Sequence, residues 1–293
     1  MTSGYVLYNP LAGRGNSAEE LKRLEEMLDA KLTFQDVTKI EDYQVFINAM
    51  EENSFLVIAG GDGTLNRFIN ATENIQLPKE VLYYPCGSGN DFAREVAKDN
   101  NGKPISIVQY IQGLPKVEVN GKSFRFINGI GFGIDGYCCM VGDKQRAASN
   151  KKVDYTGIAI KGLLFHYKPS SAKVTVDGKT EYYKDVWLAP TMHGRYYGGG
   201  MIPAPEQDRT AQDRTLSVMV FRGRSKLKSL IIFPSLFKGE HIKHKKNIFV
   251  LSGKQITVEF DSPRPLQIDG ETIPNVISYT ATACPVNAEV NCG

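Results

Sequence analysis

The chain has 293 residues, of which 35 are Lys or Arg and 32 are Asp or Glu, so its formal net charge is only +3. That balance argues against a general nucleic-acid-binding protein, which would carry a basic face and a much higher pI. No apolar run approaches the roughly 18 to 20 residues that a membrane-spanning helix needs. The first residues resemble no signal peptide, and five cysteines without a CxxC pair suit a reducing compartment. We therefore expect a cytoplasmic protein with two domains.

The first third of the chain alternates predicted strands with predicted helices. Strands are expected at 5–8, 32–37, 55–59 and 81–84, each followed by a turn and a helical pattern. This alternation predicts an α/β domain with a parallel sheet and helices on both faces. Ligands of such sheets bind at the carboxyl ends of the strands. Three glycine-rich turns, at 13–15, 60–64 and 87–89, follow those ends.

The most informative turn is Gly60-Gly61-Asp62-Gly63-Thr64, which joins an apolar strand to a helix. Such a turn can bind phosphate oxygens through backbone N–H groups at the positive end of the helix dipole. Because Asp62 would repel bound phosphates unless a cation lay between them, the turn indicates a magnesium-assisted site. The ordinary alternative is a glycine-rich strand-to-helix connection without a ligand.

From about residue 116 the pattern changes to short strands separated by turns. Strands are predicted at 116–119, 124–128, 172–176, 182–188, 216–221, 256–260 and 266–268. Asn120-Gly121 and Asp177-Gly178 are typical of hairpins, and helices are expected near 154–165 and 226–237. We interpret residues 116–274 as a mostly antiparallel β-sandwich that follows a nucleotide-binding domain of residues 1–115. The C-terminal segment, about 275–293, is expected to return to the first domain.

Seven segments together resemble the diacylglycerol kinase catalytic-domain family, the soluble bacterial lipid kinases related to sphingosine and ceramide kinases. They are Tyr8 to Pro10 with Gly13 to Gly15, Gly60 to Asn66, Pro85 to Arg94, Asn128 to Gly133, Tyr155 to Gly162, Gly198 to Pro205, and Asp269 to Glu271. The glycine turn alone is shared with NAD kinases and phosphofructokinases. The full set is specific to the lipid kinases, and it runs from end to end of the chain.

The resemblance implies an ATP- and magnesium-dependent kinase of lipid metabolism that phosphorylates a lipid hydroxyl. Nucleotide contacts would come from Asn9, Gly60, Gly61, Gly63, Thr64, Gly87, Ser88, Gly89 and Asn90. Asp62 would hold the catalytic magnesium ion. Arg14 and Lys161 would neutralise charge on the transferred phosphoryl group. Asp269 would be the general base for the lipid hydroxyl, assisted or oriented by Glu271.

Two positions depart from the family's pattern. Arg14 stands where the family often has lysine, which keeps the charge but changes its geometry. The family's Asp-Gly-x-Leu segment, which binds a structural magnesium ion, corresponds here to residues 213–216, with Arg214 in place of the glycine. Asp213 and Leu216 are therefore candidates for that metal, and a charged surface loop is the alternative.

Several site residues also have ordinary structural interpretations. Asp269 and Gly270 could form only a hairpin turn, and Lys161 could be a solvated helix residue. Asn90 and the residue after it could act only as a helix cap. Asp135 is interpreted as an acid at the edge of the core and is not assigned to the site.

A kinase of membrane lipids must reach a bilayer without spanning it. Residues 222–238 combine basic with apolar side chains, and residues 241–246 add further basic or titratable ones. This composition suits peripheral contact with the inner face of an anionic membrane. The alternative is a helix packed on the core with a basic solvent face. The sequence does not determine the oligomeric state, and a homodimer is compatible with it.

Diacylglycerol, converted to phosphatidic acid, is the default acceptor among the lipids that the sequence leaves open. Sphingoid bases, ceramide, monoacylglycerol and polyprenyl-like alcohols are the others. A soluble-acceptor kinase of the NAD kinase type is the nearest enzymatic alternative, although residues 87–94 and 269–271 match lipid kinases better. A non-catalytic nucleotide-binding regulator is the alternative of a different class.

Overall fold

The computed structural model describes residues 3–10, 17–97, 102–148 and 153–284. The chain divides between Leu114 and Pro115 into two compact units, each with its own sheet. Arg14 and the glycine-rich turn around it lie outside the described residues. Within the described ranges, no helix is both long enough and apolar enough to cross a membrane.

The first unit is an α/β domain around a five-stranded sheet of order β2-β1-β3-β4-β5. Its strands are β1 (Ser3–Tyr8), β2 (Lys31–Asp36), β3 (Phe55–Gly60), β4 (Val81–Pro85) and β5 (Ile105–Ser106). Its helices are α1 (Ser17–Met27), α2 (Tyr43–Asn48), α3 (Asp62–Ala71), α4 (Asp91–Val96) and α5 (Val108–Ile111). All strands are parallel except β5. Every residue of β3 is buried, as expected for a central parallel strand covered on both faces.

The second unit is an antiparallel β domain. Its strands are β6 (Lys116–Val119), β7 (Lys122–Arg125), β8 (Gly129–Phe132), β9 (Ser170–Val176), β10 (Lys179–Leu188), β11 (Thr191–Met192), β12 (Leu216–Arg222), β13 (Ile248–Gly253), β14 (Gln255–Ile268) and β15 (Glu271–Thr282). Because β9 pairs with both β10 and β14, the six strands β14-β8-β11-β12-β10-β9 form a closed ring.

Helices cover one face of this ring. They are α6 (Ile134–Ala148), α7 (Tyr155–Lys161) followed by a π-helical turn (Gly162–His166), and α8 (Lys226–Ile232) followed by 3₁₀ turns (Phe233–Lys238 and Glu240–Lys243). Alternate residues of β9, β12 and β14 enter one apolar cluster. The opposite face of β10 and β12 packs with the helices in a second cluster around Trp187, Tyr197 and Phe221.

The predicted fold class is confirmed: an α/β domain with a mostly parallel sheet is followed by an antiparallel β domain. Both predicted hairpins form, with Asn120-Gly121 and Asp177-Gly178 in the left-handed region that such two-residue turns require. Residues 275–284 stay in the second unit instead of returning to the first, because β15 pairs with β14 on one edge and with β6 on the other. Residues 285–293 lie outside the described residues.

Three predicted strands differ from the structure, and one helix was not predicted. The strands expected at 256–260 and 266–268 form one long bulged strand, β14. The strand expected at 124–128 ends at Arg125. Helix α6 was not predicted, because its glycines lower helix propensity. Gly136 is nevertheless required there, since a Cβ atom would lie 2.0 Å from the carbonyl oxygen of Pro265 in β14.

Candidate functional site

The two described glycine turns of the first unit touch through their backbones. Strands β3 and β4 end side by side, with Gly60 opposite Pro85. A Cβ atom on Gly87 would lie 2.4 Å from the Cα atom of Gly61, and one on Gly60 would lie 2.5 Å from the Cβ atom of Thr64. Alanine therefore cannot replace Gly60 or Gly87 without a backbone shift. The glycines bring two strand-to-helix connections into contact at the carboxyl edge of the sheet.

Helix α3 begins in this contact. Gly61 is its N-cap residue and makes no side-chain cap. The amide of Thr64 donates to the carbonyl oxygen of Gly61 at 3.0 Å, so one of the three amides predicted to bind phosphate already has an acceptor. The amides of Gly61 and Gly63 lie at or before the first helical residues, where a helix supplies no acceptor. This helix end has the geometry and partial positive charge of an anion site.

Asp62 joins the two turns. Its Oδ2 atom accepts from the amide of Asp91 at 2.9 Å, and its Oδ1 atom accepts from the amide of Phe92 at 3.0 Å. The carboxylate thus caps α4 from the first turn of α3. A carboxylate has about four acceptor positions, so these two hydrogen bonds do not by themselves prevent it from binding a cation. Asp62 is placed to link the start of α4 to a ligand beside α3.

Asn90 closes its own turn instead of capping α4. Its φ angle is 51°, in the left-handed region, and its side chain accepts from the Gly87 amide and donates to the Gly87 carbonyl oxygen, both at 3.0 Å. Ser88, which is exposed, and Gly89, which is partly buried, lie within this closed turn. Asn9 follows β1, whose last residue pairs with Ala59 of β3. All these predicted nucleotide contacts lie along one edge of the first sheet.

In the second unit, Asp269 lies in the two-residue turn between β14 and β15. This agrees with the interpretation of Asp269 and Gly270 as a hairpin turn. Its φ angle is 46°, and Ile268 pairs with Glu271 across the turn. Its buried carboxylate accepts three backbone N–H bonds, from Ile127 (2.6 Å), Asn128 (2.8 Å) and Gly129 (2.9 Å). These bonds stabilise the ionised form and fix its orientation. Asp269 is both a turn residue and a rigidly held carboxylate.

Arg209 is a buried residue of this network that sequence reasoning missed. Its guanidinium donates to the carbonyl oxygen of Ile127 and to the Asn128 side-chain oxygen, both at 3.0 Å. The segment 127–129 is therefore held by Asp269 through its amides and by Arg209 through its oxygens. Nothing in the sequence separates Arg209 from the neighbouring charged residues of 208–214. Only the fold shows that it is the buried one.

Lys161 and Glu271 lie in the same unit as Asp269. Lys161 is exposed in the last turn of α7, and Glu271 begins β15. The nucleotide turns and Asp62 belong to the first unit. The roles of these residues in phosphoryl transfer stay predictions.

The stretch proposed for a structural metal is a surface loop around Asp213. The Asp213 carboxylate is exposed and accepts from the amide and hydroxyl of Thr215 at 3.3 to 3.5 Å. Leu216 is buried at the start of β12. Across the described ranges, no three His, Cys, Asp or Glu side chains converge as metal ligands would. A structural magnesium ion at Asp213 and Leu216 stays a prediction, and the described residues form no set of ligands for it.

Asp135, in the first turn of α6, is a second buried carboxylate of this unit. A Cβ atom on Gly131 would nearly coincide with its Oδ2 atom, so the glycine makes room for the acid. Gln267 donates to Oδ2 at 3.4 Å, and that glutamine's oxygen accepts the amide of Gly270 at 2.6 Å. Oδ1 is buried without a hydrogen-bond partner. Burial raises the pKa of Asp135 to about 6, although the hydrogen bond from Gln267 opposes the rise.

Because the pKa of Asp135 is raised in the folded state, we expect the free energy of unfolding to fall as the pH rises. The folded state holds the Asp135 proton up to about pH 6, whereas the unfolded chain releases it near 3.8. The folded state therefore binds the extra proton between these values, and the free energy of unfolding decreases across this window and then stays level. Asp135→Asn should remove this slope and add about 3 kcal/mol at pH 7. Urea unfolding of both proteins from pH 4 to 8 measures how the free energy of unfolding changes with pH. An unchanged slope in the variant would show that Asp135 does not cause this change.

Comparison with known proteins decides the family. Residues 3–117 match the diacylglycerol kinase catalytic domain, and residues 128–291 match the YegS C-terminal NAD kinase beta sandwich-like domain. The second match alone covers more than half of the chain. The chain belongs to the family that joins a diacylglycerol kinase catalytic domain to a YegS C-terminal NAD kinase beta sandwich-like domain. This family assignment makes it a member of a group of lipid kinases.

Individual members of the family are distant in sequence. The chain is 22% identical to a Bacillus subtilis (strain 168) protein named "Putative lipid kinase YtlR", over 92% of this chain and 94% of that one. It is 26% identical to a diacylglycerol kinase of Mycobacterium tuberculosis (strain H37Rv), over 80% and 73%. The crystal structure of a diacylglycerol kinase from Bacillus anthracis (strain Sterne) superposes with a TM-score of 0.65 at 20% identity, over 96% and 94%. At this identity the superposition supports the fold alone.

Proposed function

We propose that the protein transfers the γ-phosphoryl group of ATP, with magnesium, to a lipid hydroxyl group, and that diacylglycerol is the acceptor. The observation that carries this proposal is the contact of two glycine turns at the start of α3, with Asp62 bridging them. An uncapped helix N-terminus beside a carboxylate suits a phosphate chain and its metal ion. The lipid acceptor rests on the family and on the names of its relatives.

In this proposal the first unit binds and orients the nucleotide. The amides of Gly61 and Gly63 donate to phosphate oxygens, and Asn9 with the closed 87–90 turn lies beside the rest of the nucleotide. Asp62 would hold the magnesium ion through its carboxylate. Magnesium usually binds one or two carboxylates together with substrate phosphates, so a single acid fits. The bound ion would supply positive charge against the transferred phosphoryl group.

The second unit supplies the acceptor chemistry. Asp269 accepts the proton of the lipid hydroxyl as its oxygen bonds to the γ-phosphorus and the bond from that phosphorus to the β-phosphate oxygen breaks, which releases ADP. Three hydrogen bonds from backbone amides hold its carboxylate in a fixed orientation. A carboxylate is a weak base toward an alcohol. The proton therefore moves only as the bond to phosphorus forms. Lys161 would neutralise charge on the transferred phosphoryl group, as the family resemblance implies.

The test is an assay of the full chain with γ-labelled ATP, magnesium and detergent-dispersed lipids, with NAD as the soluble control. We expect label in phosphatidic acid when diacylglycerol is present. Label in another lipid would keep the lipid kinase and change its acceptor. Label in NADP would favour the NAD kinase-like alternative. ATP binding without transfer to any acceptor would support a non-catalytic regulator.

A further inference from the structure

Three large apolar side chains in the second unit lie exposed on neighbouring elements. Phe165 is 73% exposed, Leu227 is 67% exposed and Ile231 is 68% exposed. Leu227 and Ile231 are four residues apart on α8, so they share one side of that helix. Helix α8 packs on the π-helical turn that carries Phe165, and Lys226 Nζ donates to the Leu164 carbonyl oxygen at 2.8 Å. We call Phe165, Leu227 and Ile231 the docking face.

The docking face is not needed for packing within the unit. Three other apolar residues of the same segment, Ile232, Phe233 and Leu236, are buried in the cluster beneath the helices, whereas Leu230 is partly buried and Phe237 is 41% exposed. Helix α8 therefore anchors one side in the core and presents the other side to solvent. The interpretation of residues 222–238 as a helix packed on the core holds for the buried side chains, and peripheral membrane contact stays a prediction for the exposed ones. Phe165, by contrast, carries no sequence signal for exposure.

The two segments that carry this face are rich in basic residues, one of which, Arg224, pairs with Asp185 at 3.1 Å. Residues 155–168 and 222–238 contain seven Lys or Arg residues and no Asp or Glu. Since the whole chain has a net charge of +3, the remainder has +3 − 7 = −4. Lys161, Lys168, Lys228 and Lys238 are all exposed. An apolar patch bordered by exposed lysines suits a surface that is negatively charged outside and apolar inside.

The exposed apolar residues chosen as controls lie outside these two basic segments. Val45 on α2 is 65% exposed, yet its neighbours in sequence include Glu41 and Asp42 before it and Glu51 after it. Single exposed apolar residues are normal on protein surfaces and need no partner. Val45 and Ile277 of β15, which is also exposed, therefore serve as matched controls.

We propose that the docking face inserts into an anionic lipid bilayer, with Phe165, Leu227 and Ile231 in the acyl boundary and Lys168, Lys228 and Lys238 at the headgroups. This inference deepens the proposed lipid kinase activity and rests on it for the choice of a bilayer as occupant. Phosphatidylglycerol is the probe of that surface used below.

Vesicle co-sedimentation of the full chain tests the proposal. We expect binding to vesicles of phosphatidylglycerol and phosphatidylcholine, and weaker binding to phosphatidylcholine alone or in high salt. Phe165→Gln with Leu227→Gln and Ile231→Gln should lower the partition coefficient by about tenfold or more. Val45→Gln with Ile277→Gln should leave it unchanged. Lys228→Gln with Lys238→Gln should weaken only the anionic component, whereas Lys122→Gln with Lys179→Gln should not.

Three results would overturn the proposal. The native chain could fail to bind anionic vesicles, or the control variants could lose as much binding as the docking-face variant. The docking-face variant could also change only the oligomeric state measured by light scattering, which would make the occupant a second copy. Phosphorylation of a short-chain, water-dispersed diacylglycerol is measured in parallel. Retained turnover with lost vesicle binding supports docking, whereas vesicle binding without lipid phosphorylation removes the proposed function and leaves docking intact.

Discussion

Asp62→Asn is expected to lower kcat by about 100- to 1,000-fold, the range that follows loss of one fixed charge-stabilising group. The substitution removes the charge that we propose holds magnesium. It also turns an amide –NH₂ group toward the N–H of either Asp91 or Phe92, both of which now donate to the carboxylate. Leaving one of those donors without an acceptor should cost about 1–3 kcal/mol of the free energy of unfolding. The measurements are kcat as a function of magnesium concentration and urea unfolding.

Asp42→Asn is the matched control for Asp62→Asn. Asp42 is also an acid of the first unit that caps a helix, accepting from the amides of Gln44 (2.7 Å) and Val45 (3.1 Å). Asparagine caps about as well as aspartate, so this variant should keep its stability and its kcat. If Asp62→Asn needs no more magnesium than the native chain and loses activity only as it loses folded protein, then Asp62 is a cap and not a metal ligand.

The sequence predicted the architecture of the first unit because local signals and packing agree there. Phe55–Gly60 is apolar and β-branched, as a strand buried on both faces must be. The glycine turn marks the start of α3 unambiguously. The hydrogen bonds from α4 to Asp62 were not predicted, because they join residues about thirty positions apart. The donors are backbone amides, which nearly every residue has, so the sequence does not mark them.

The second unit was predictable only in part. Hairpins at Asn120-Gly121 and Asp177-Gly178 follow from residues that tolerate positive φ angles. Closure of the ring depends on the pairing of β9 with β14, which no local pattern specifies. The same is true of Arg209, whose partners at 127 and 128 are more than eighty positions away. Long-range contacts decided both features.

Asp269→Asn is expected to reduce kcat by about 100-fold or more while ATP binding is retained, because the variant loses the proton acceptor but leaves the first unit intact. Asparagine adopts positive φ angles readily, so the turn at residue 269 should not be strained. One of the three amides at 127–129 would face an –NH₂ group, which should cost about 1–3 kcal/mol of stability. Steady-state kinetics, nucleotide binding by fluorescence and urea unfolding separate these effects.

Asp177→Asn is the matched control for Asp269→Asn, because it separates an effect on catalysis from an effect on the turn. Asp177 also begins an Asp-Gly turn in the second unit, with a φ angle of 47° against 46° for Asp269. Its carboxylate accepts from the amides of Lys254 (2.9 Å) and Gln255 (2.8 Å), but it is exposed and belongs to a different hairpin. A structural role alone predicts that both variants lose stability and keep kcat per folded molecule. A catalytic role for Asp269 predicts that only its own variant loses kcat, and an equal kcat in the two variants would reject Asp269 as the base.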